Sequence, residues 1–283
     1  NYFRESLNQI NTPNFLNNSL NSSVSFSKTF RGYPSVNMSL SASHSQNTRS
    51  NSVNLVLPTF QGSVERIYPF VKRSGQKKGI LKNINMQYNF RGENRITTTD
   101  SLFLKKEMFD DAKYGMRHSI PISTNFKVLK HLSVSMNGNY EEVWTGSTIK
   151  RNDYDSETGN SGNKVEIKGF DRFSQYNFGM GVGTTIYGLF NFKKESKIEA
   201  LRHVIRPSIN YSIRPSFDEY YDTYIIDANG NTAEYTRFED NFFGLPSRTY
   251  SSSIGLQVSN NLEAKVRSKD SLAQESKKIT ILN

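Results

Sequence analysis

Between residues 115 and 140 the sequence GMRHSIPISTNFKVLKHLSVSMNGNY changes polarity residue by residue. Ile120, Ile122, Thr124 and Phe126 fall on one face, with Ser119, Ser123 and Asn125 on the other. After a short basic turn at 127–131, Leu132, Val134, Met136 and Tyr140 oppose Ser133, Ser135, Asn137 and Asn139. A period of two belongs to a strand, so the stretch reads as an antiparallel hairpin. Its polar faces carry Ser and Asn in place of dense charge. Such a strand suits one oily neighbour and, on its other side, water inside a closed barrel.

The same unit recurs along the chain. Residues 22–30, 35–44, 83–91, 171–192, 198–213 and 249–267 each alternate, and the last keeps one parity from Ile254 to Val266. Residues 1–10 read as a ragged first strand and 11–21 as loop. In residues 51–64 the phase slips by one at Pro58, the mark of a bulge. Pro121 and Pro207 also interrupt strands and are expected at bulges or strand ends, because proline has no N–H to donate. Gly179, Gly181 and Gly183 alternate on one face and are read as room for bulky neighbours or a curved wall. A short helix is expected within DSLFLKKEMFDDA, capped by Asp100 or Ser101.

The connections have a pattern of their own. Short turns at 31–34, 71–79, 127–131, 193–197 and 268–277 alternate with longer ones at 45–50, 92–116, 141–168 and 214–248. Outer-membrane barrels have short turns at one end and long loops at the other. The chain is therefore expected to be all-β, an antiparallel transmembrane β-barrel domain over 1–283, contributing about ten strands of a larger barrel. Mean hydropathy is only −0.63. That is compatible with spanning strands, which need about 9–11 residues with alternate ones apolar.

Charge divides in the same way. Lysines such as Lys127, Lys130, Lys193 and Lys194 lie in short turns, and acids such as Asp153, Asp155, Asp218 and Asp222 in long ones. The simpler reading is solvation, and the sharper one is contact of the acidic loops with divalent cations and glycolipid. The net charge of +10 is spread over turns, and no nucleic-acid motif accompanies it. There are no cysteines, hence no disulfides. His44, His118, His131 and His203 lack metal-ligand spacing, and no serine sits in a nucleophile elbow. No catalytic, cofactor-binding or metal residues are assigned. Asp227-Ala-Asn-Gly-Asn231 reads as a hairpin turn, and Trp144, Tyr140, Tyr187, Tyr211 and Tyr250 suit aromatic girdles or an inward position.

Several strings resemble one family. They are RIYPF at 66–70, HSIPISTNFKVLKHLSVS at 118–135, IEALRHVIRPSINYSIRPSF at 198–217 and SIGLQVSNNLEAKVRSK at 253–269, joined by SHSQNTR at 43–49 and YGLFNF at 187–192. The chain resembles the barrel of the LptD family, the lipopolysaccharide-assembly proteins of the Gram-negative outer membrane, in its Bacteroidota form. The resemblance implies a barrel of roughly the 26-strand class, of which this chain is an internal piece. It implies a periplasmic jelly roll outside the chain that receives lipopolysaccharide from bridge proteins. It also implies an LptE-type plug lipoprotein in the lumen and exit of lipopolysaccharide through the barrel wall into outer-membrane lipid. Neither an enzyme nor a nucleic-acid partner is implied. The alternatives are a general porin or nutrient transporter, and a soluble all-β surface-binding module whose apolar faces would pack on each other.

Overall fold

The computed structural model describes residues 19–72, 75, 79–193, 196–267 and 277–282. Its elements are β1 (Ser19–Phe30), β2 (Val36–Asn47), β3 (Ser52–Ile67), β4 (Asn85–Thr99), α1 (Lys106–Asp110), β5 (Lys113–Val128), β6 (Leu132–Arg151), β7 (Lys164–Gly183), β8 (Ile186–Asn191), β9 (Ile198–Arg214), β10 (Tyr221–Ile225), β11 (Thr232–Thr236), β12 (Ser251–Val266) and β13 (Lys277–Leu282). Eleven strands form one antiparallel sheet in the order β1-β2-β3-β4-β5-β6-β7-β9-β12-β13, with β8 also paired to β9. The strands β10 and β11 make a separate hairpin. Each strand of the path pairs with its neighbours along it, and no ladder joins β1 to β13. The described residues thus form an open antiparallel sheet with two edges and eleven strands, against the expectation of about ten strands of a larger barrel. The ragged strand expected at 1–10, most of the loop at 11–21 and most of the turn at 268–277 lie outside the described residues.

Register carries the alternation across the sheet. Phe26 stands opposite Leu40, Leu40 opposite Phe60, Met136 opposite Thr124 and Met180, Val182 opposite Ile209, and Ile209 opposite Leu256. One face is therefore an unbroken apolar belt. Among the described residues α1 covers it at Val53, Leu55 and Ile96, and elsewhere it is bare: Ile254 and Leu256 are 76% and 74% exposed. The reverse face is polar, with Asn137 opposite Gly179 and Ser212 opposite Ser253. Cross-strand hydrogen bonds knit it, from Ser119 to Asn139 (2.9 Å) and from Ser123 to Asn85 (2.9 Å).

The glycines on the polar face make room for these side chains. A Cβ on Gly179 would stand 2.8 Å from the Asn137 Oδ1, and one on Gly181 would stand 2.8 Å from Asn210 Oδ1 and from Ser135 Oγ. The prolines fall where ladders lapse. At Pro58, one residue of β2, Ala42, opposes two of β3, Leu57 and Pro58, so β3 carries one extra residue as expected. Pro121 lies in a regular stretch against β6, but the β4–β5 ladder stops at Met86–Ile122 and resumes at Asn89–Ser119. Pro207 pairs regularly with Val258 on β12, and on its other side lies the break between β7 and β8, where its carbonyl accepts from the Thr184 N–H at 3.1 Å. A residue without an N–H fits where no partner waits for one.

The strands run further than alternation alone indicates. β4 and β5 extend into the loop expected at 92–116, leaving 100–112, and β6 and β7 extend into that expected at 141–168, leaving 152–163. Ladder bonds and side-chain pairs hold these polar ends extended. The helix is α1 (Lys106–Asp110), beginning after Lys105 with no side-chain cap, not at Asp100 or Ser101; those two open a single 3-10 turn.

Candidate functional site: a polar wall crossed by a long loop

The loop between β9 and β12, residues 215–250, is the largest structure outside the sheet. It packs on the polar side of the sheet, across the far ends of β4 to β7. There the face changes character. Val143 and Phe173 are opposite each other on β6 and β7, at the parity that elsewhere carries Asn and Glu. Phe238 of the loop closes on them, and all three are buried. Its ring lies 4.9 Å from that of Phe173, with Tyr220 edge-on to both. Burying such a side chain contributes roughly 1.5–3 kcal/mol.

Polar contacts fix the loop around this anchor. Arg237 donates to Asp171 at 2.7 Å, and its carbonyl accepts from the Ile149 N–H at 2.9 Å. Arg151 grips the Glu239 carboxylate with two nitrogens, and Lys164 donates to Asp240 at 2.8 Å. The Arg151 hydrogen bonds, foremost, hold the Glu239 carboxyl below its ordinary range, and Lys164 does the same for Asp240. The Ser247 N–H donates to Gln175 Oε1 at 3.2 Å. Further along, Phe242 lies 4.3 Å beneath the Arg95 guanidinium, and Phe243 reaches Gly115 so closely that a Cβ there would touch its ring. Within the loop, Asp227 accepts from the N–H groups of Asn229 and Asn231, closing the β10–β11 hairpin as the Asp-Ala-Asn-Gly-Asn string predicts.

Below the loop the polar wall holds buried charge. Glu93 lies between Arg91 and Arg95, and Glu141 accepts from Arg117 and from Gln175. These two carboxylates are nearly hidden, whereas the arginines are half exposed. The alternation marks this face as polar but does not distinguish these five residues from other loop-end charges. Only the register and the loop above bring them together.

The apolar belt ends in a different cluster. His118, Glu142 and Trp144 share that face through their pairing with Phe90, Ser174 and Arg172. Glu142 accepts from Tyr140 (2.7 Å), Trp144 (2.6 Å) and Arg172 (2.8 Å), and His118 Nδ1 meets the Tyr88 hydroxyl at 2.7 Å. Trp144 and Tyr140 thus stand on the belt face beside Glu142. Tyr187 does not: it pairs with Val204 on the other face, with Arg202 5.9 Å over its ring. His44 lies by Phe103, and the His131 carbonyl accepts from Thr184. The four histidines do not converge, and among the described residues no group of three His, Cys, Asp or Glu is placed to hold a metal ion. Among the described residues no helix is long and apolar enough to cross a membrane, which has no bearing on strands.

Comparison with known proteins places the chain. No curated protein and no solved structure is significantly similar to it. A family model described as LptD protein matches residues 1–283. That family consists of non-enzymatic outer-membrane components of lipopolysaccharide assembly, and an all-β sheet with one apolar face fits it. The match spans the whole chain, so the protein belongs to the LptD family.

Proposed function

We propose that this sheet is one arc of a single closed outer-membrane barrel domain that passes lipopolysaccharide into the outer leaflet through an opening in its wall. The observation that carries the reading is the pairing of two faces. An apolar belt, covered by α1 at one end, crosses the main sheet from β1 to β12, and a wall of Ser, Asn and Gly backs it. Strands of this kind span a bilayer with about 9–11 residues each. In a closed barrel the belt would meet acyl chains, and the polar wall would hydrate sugars and phosphates. The loop at 215–250 would then cross the lumen at the long-loop end and restrict passage there.

In this reading the LptE-type lipoprotein plugs the lumen, and periplasmic bridge proteins deliver the cargo through a jelly roll outside this chain. The Bacteroidota form is the one its sequence strings favour. Depletion of the full-length protein in its native bacterium tests the proposal. Surface lipopolysaccharide is expected to fall while the molecule accumulates inside. Unchanged surface lipopolysaccharide with reduced uptake of a nutrient would replace it with a transporter.

A further inference from the structure

On the polar wall, Arg91 of β4 and Arg117 of β5 are direct cross-strand partners. Like charges directly opposite one another destabilise a sheet. Each is held by a carboxylate: Arg91 by Glu93, which Arg95 also binds, and Arg117 by Glu141. The acids, however, are turned into the structure. The Glu93 and Glu141 side chains are 1% and 9% exposed, against 52% and 46% for Arg91 and Arg117. The set contains three guanidinium groups and two carboxylates, so one positive charge is left over. Both arginines line an open cavity of about 570 Å³ with Ser39, Gln61, Asn89 and Ser119, and no carboxylate lines it. The buried acids orient the arginines, and the cavity meets their cationic side.

From this geometry we infer that Arg91 and Arg117 form an anion site on the wall that binds a phosphate carried on a sugar. Guanidinium forks match phosphate oxygens in pairs, and two forks from adjacent strands converge on one group. The Ser, Asn and Gln side chains around them supply hydroxyl and amide partners for a sugar ring. The inference rests on the transport reading for its ligand, a phosphorylated glycolipid headgroup in the lumen. A free phosphate offers the same chemistry.

The test uses the purified full-length protein with its plug partner in nanodiscs. Binding of a phosphorylated disaccharide glycolipid is compared with binding of the same glycolipid after phosphatase treatment. Each charge-assisted contact to phosphate is worth about tenfold or more. Wild type is expected to prefer the phosphorylated form by at least about tenfold, a preference that shrinks as salt rises. The double variant R91Q/R117Q is expected to lose that preference. The variant R91K/R117K, which keeps the charge that Glu93 and Glu141 need, should bind with an intermediate preference and serves if the first does not fold. Competition by inorganic phosphate alone at comparable concentration would identify free phosphate as the ligand and overturn the headgroup assignment. Equal wild-type binding of both glycolipids, or an undiminished preference in either variant, overturns the site. Failure of the site leaves the depletion phenotype intact, whereas failure of the transport reading abolishes that phenotype.

Discussion

Two loops at the same end of this sheet fold onto opposite faces. The loop at 100–112 lies against the apolar face, where Met108 of α1 closes on Val53, Leu55 and Ile96. The loop at 215–250 lies against the polar face, where Phe238 closes on Val143 and Phe173. Each buries one large apolar anchor between two strand ends, so hydrophobicity alone does not choose the side. Parity chooses it. The extra residue at Pro58 shifts the end of β3, so that odd-numbered Val53 and Leu55 join the face of Phe60. On β6 the phase does not slip before Val143, which stays on the face of Asn139 and Glu141. One inserted residue puts the first loop on the apolar face, and its absence leaves the second on the polar face. The first loop keeps Phe103, Leu104 and Phe109 exposed; the second is tied down by ion pairs.

The sharpest way to break this contrast is deletion of Pro58. Removing the extra residue turns Val53 and Leu55 to the polar face, and α1 loses its seat. A cysteine placed at position 55 should change from protected to reactive toward a water-soluble thiol reagent; continued protection would refute the parity argument. Next in size is Phe238→Ala. A buried Phe truncated to Ala costs about 3–5 kcal/mol, so the second loop should become cleavable by protease while the sheet stays folded. Met108→Ala, at about 2–5 kcal/mol, should release the first loop and leave cleavage of the second unchanged. If either truncation frees both loops, they are not independent.

The smallest expected effect is on pH, and it should separate the loops cleanly. Glu239 and Asp240 have depressed carboxyl pKa values through Arg151 and Lys164. Their contribution is complete above the unfolded carboxylate range of about 4 and is lost as pH falls through the lower folded values. Protease cleavage within 215–250 should therefore rise below about pH 4. The seat of α1 is apolar, so a cysteine at position 55 should stay protected over the same range. Equal loosening of both loops would show that acid acts on the sheet instead.

Much of this was legible in the chain. Strict alternation at 115–140 and 249–267 requires antiparallel strands with one apolar and one polar face, because side chains alternate across a strand whatever surrounds it. The phase slip at Pro58 marked the bulge, and Asp227-Ala-Asn-Gly-Asn231 marked the hairpin turn. Loop lengths were less legible. Residues 92–99 and 141–151 are mostly polar, and their strand character comes from ladder bonds to neighbours that alternation does not record. The helix position was decided by burial of Met108 rather than by a capping residue.

The sequence by itself determined which residues share a face, since a period of two needs only local backbone geometry. Tertiary structure decided what lies over each face and which charges meet. Val143 and Phe173 resemble any apolar pair until Phe238, some 65 residues and more away in the chain, covers them. Arg91 and Arg117 stand 26 positions apart and become neighbours only when β4 and β5 pair in one register. Contacts of that range depend on long-distance pairing, and no local pattern encodes it.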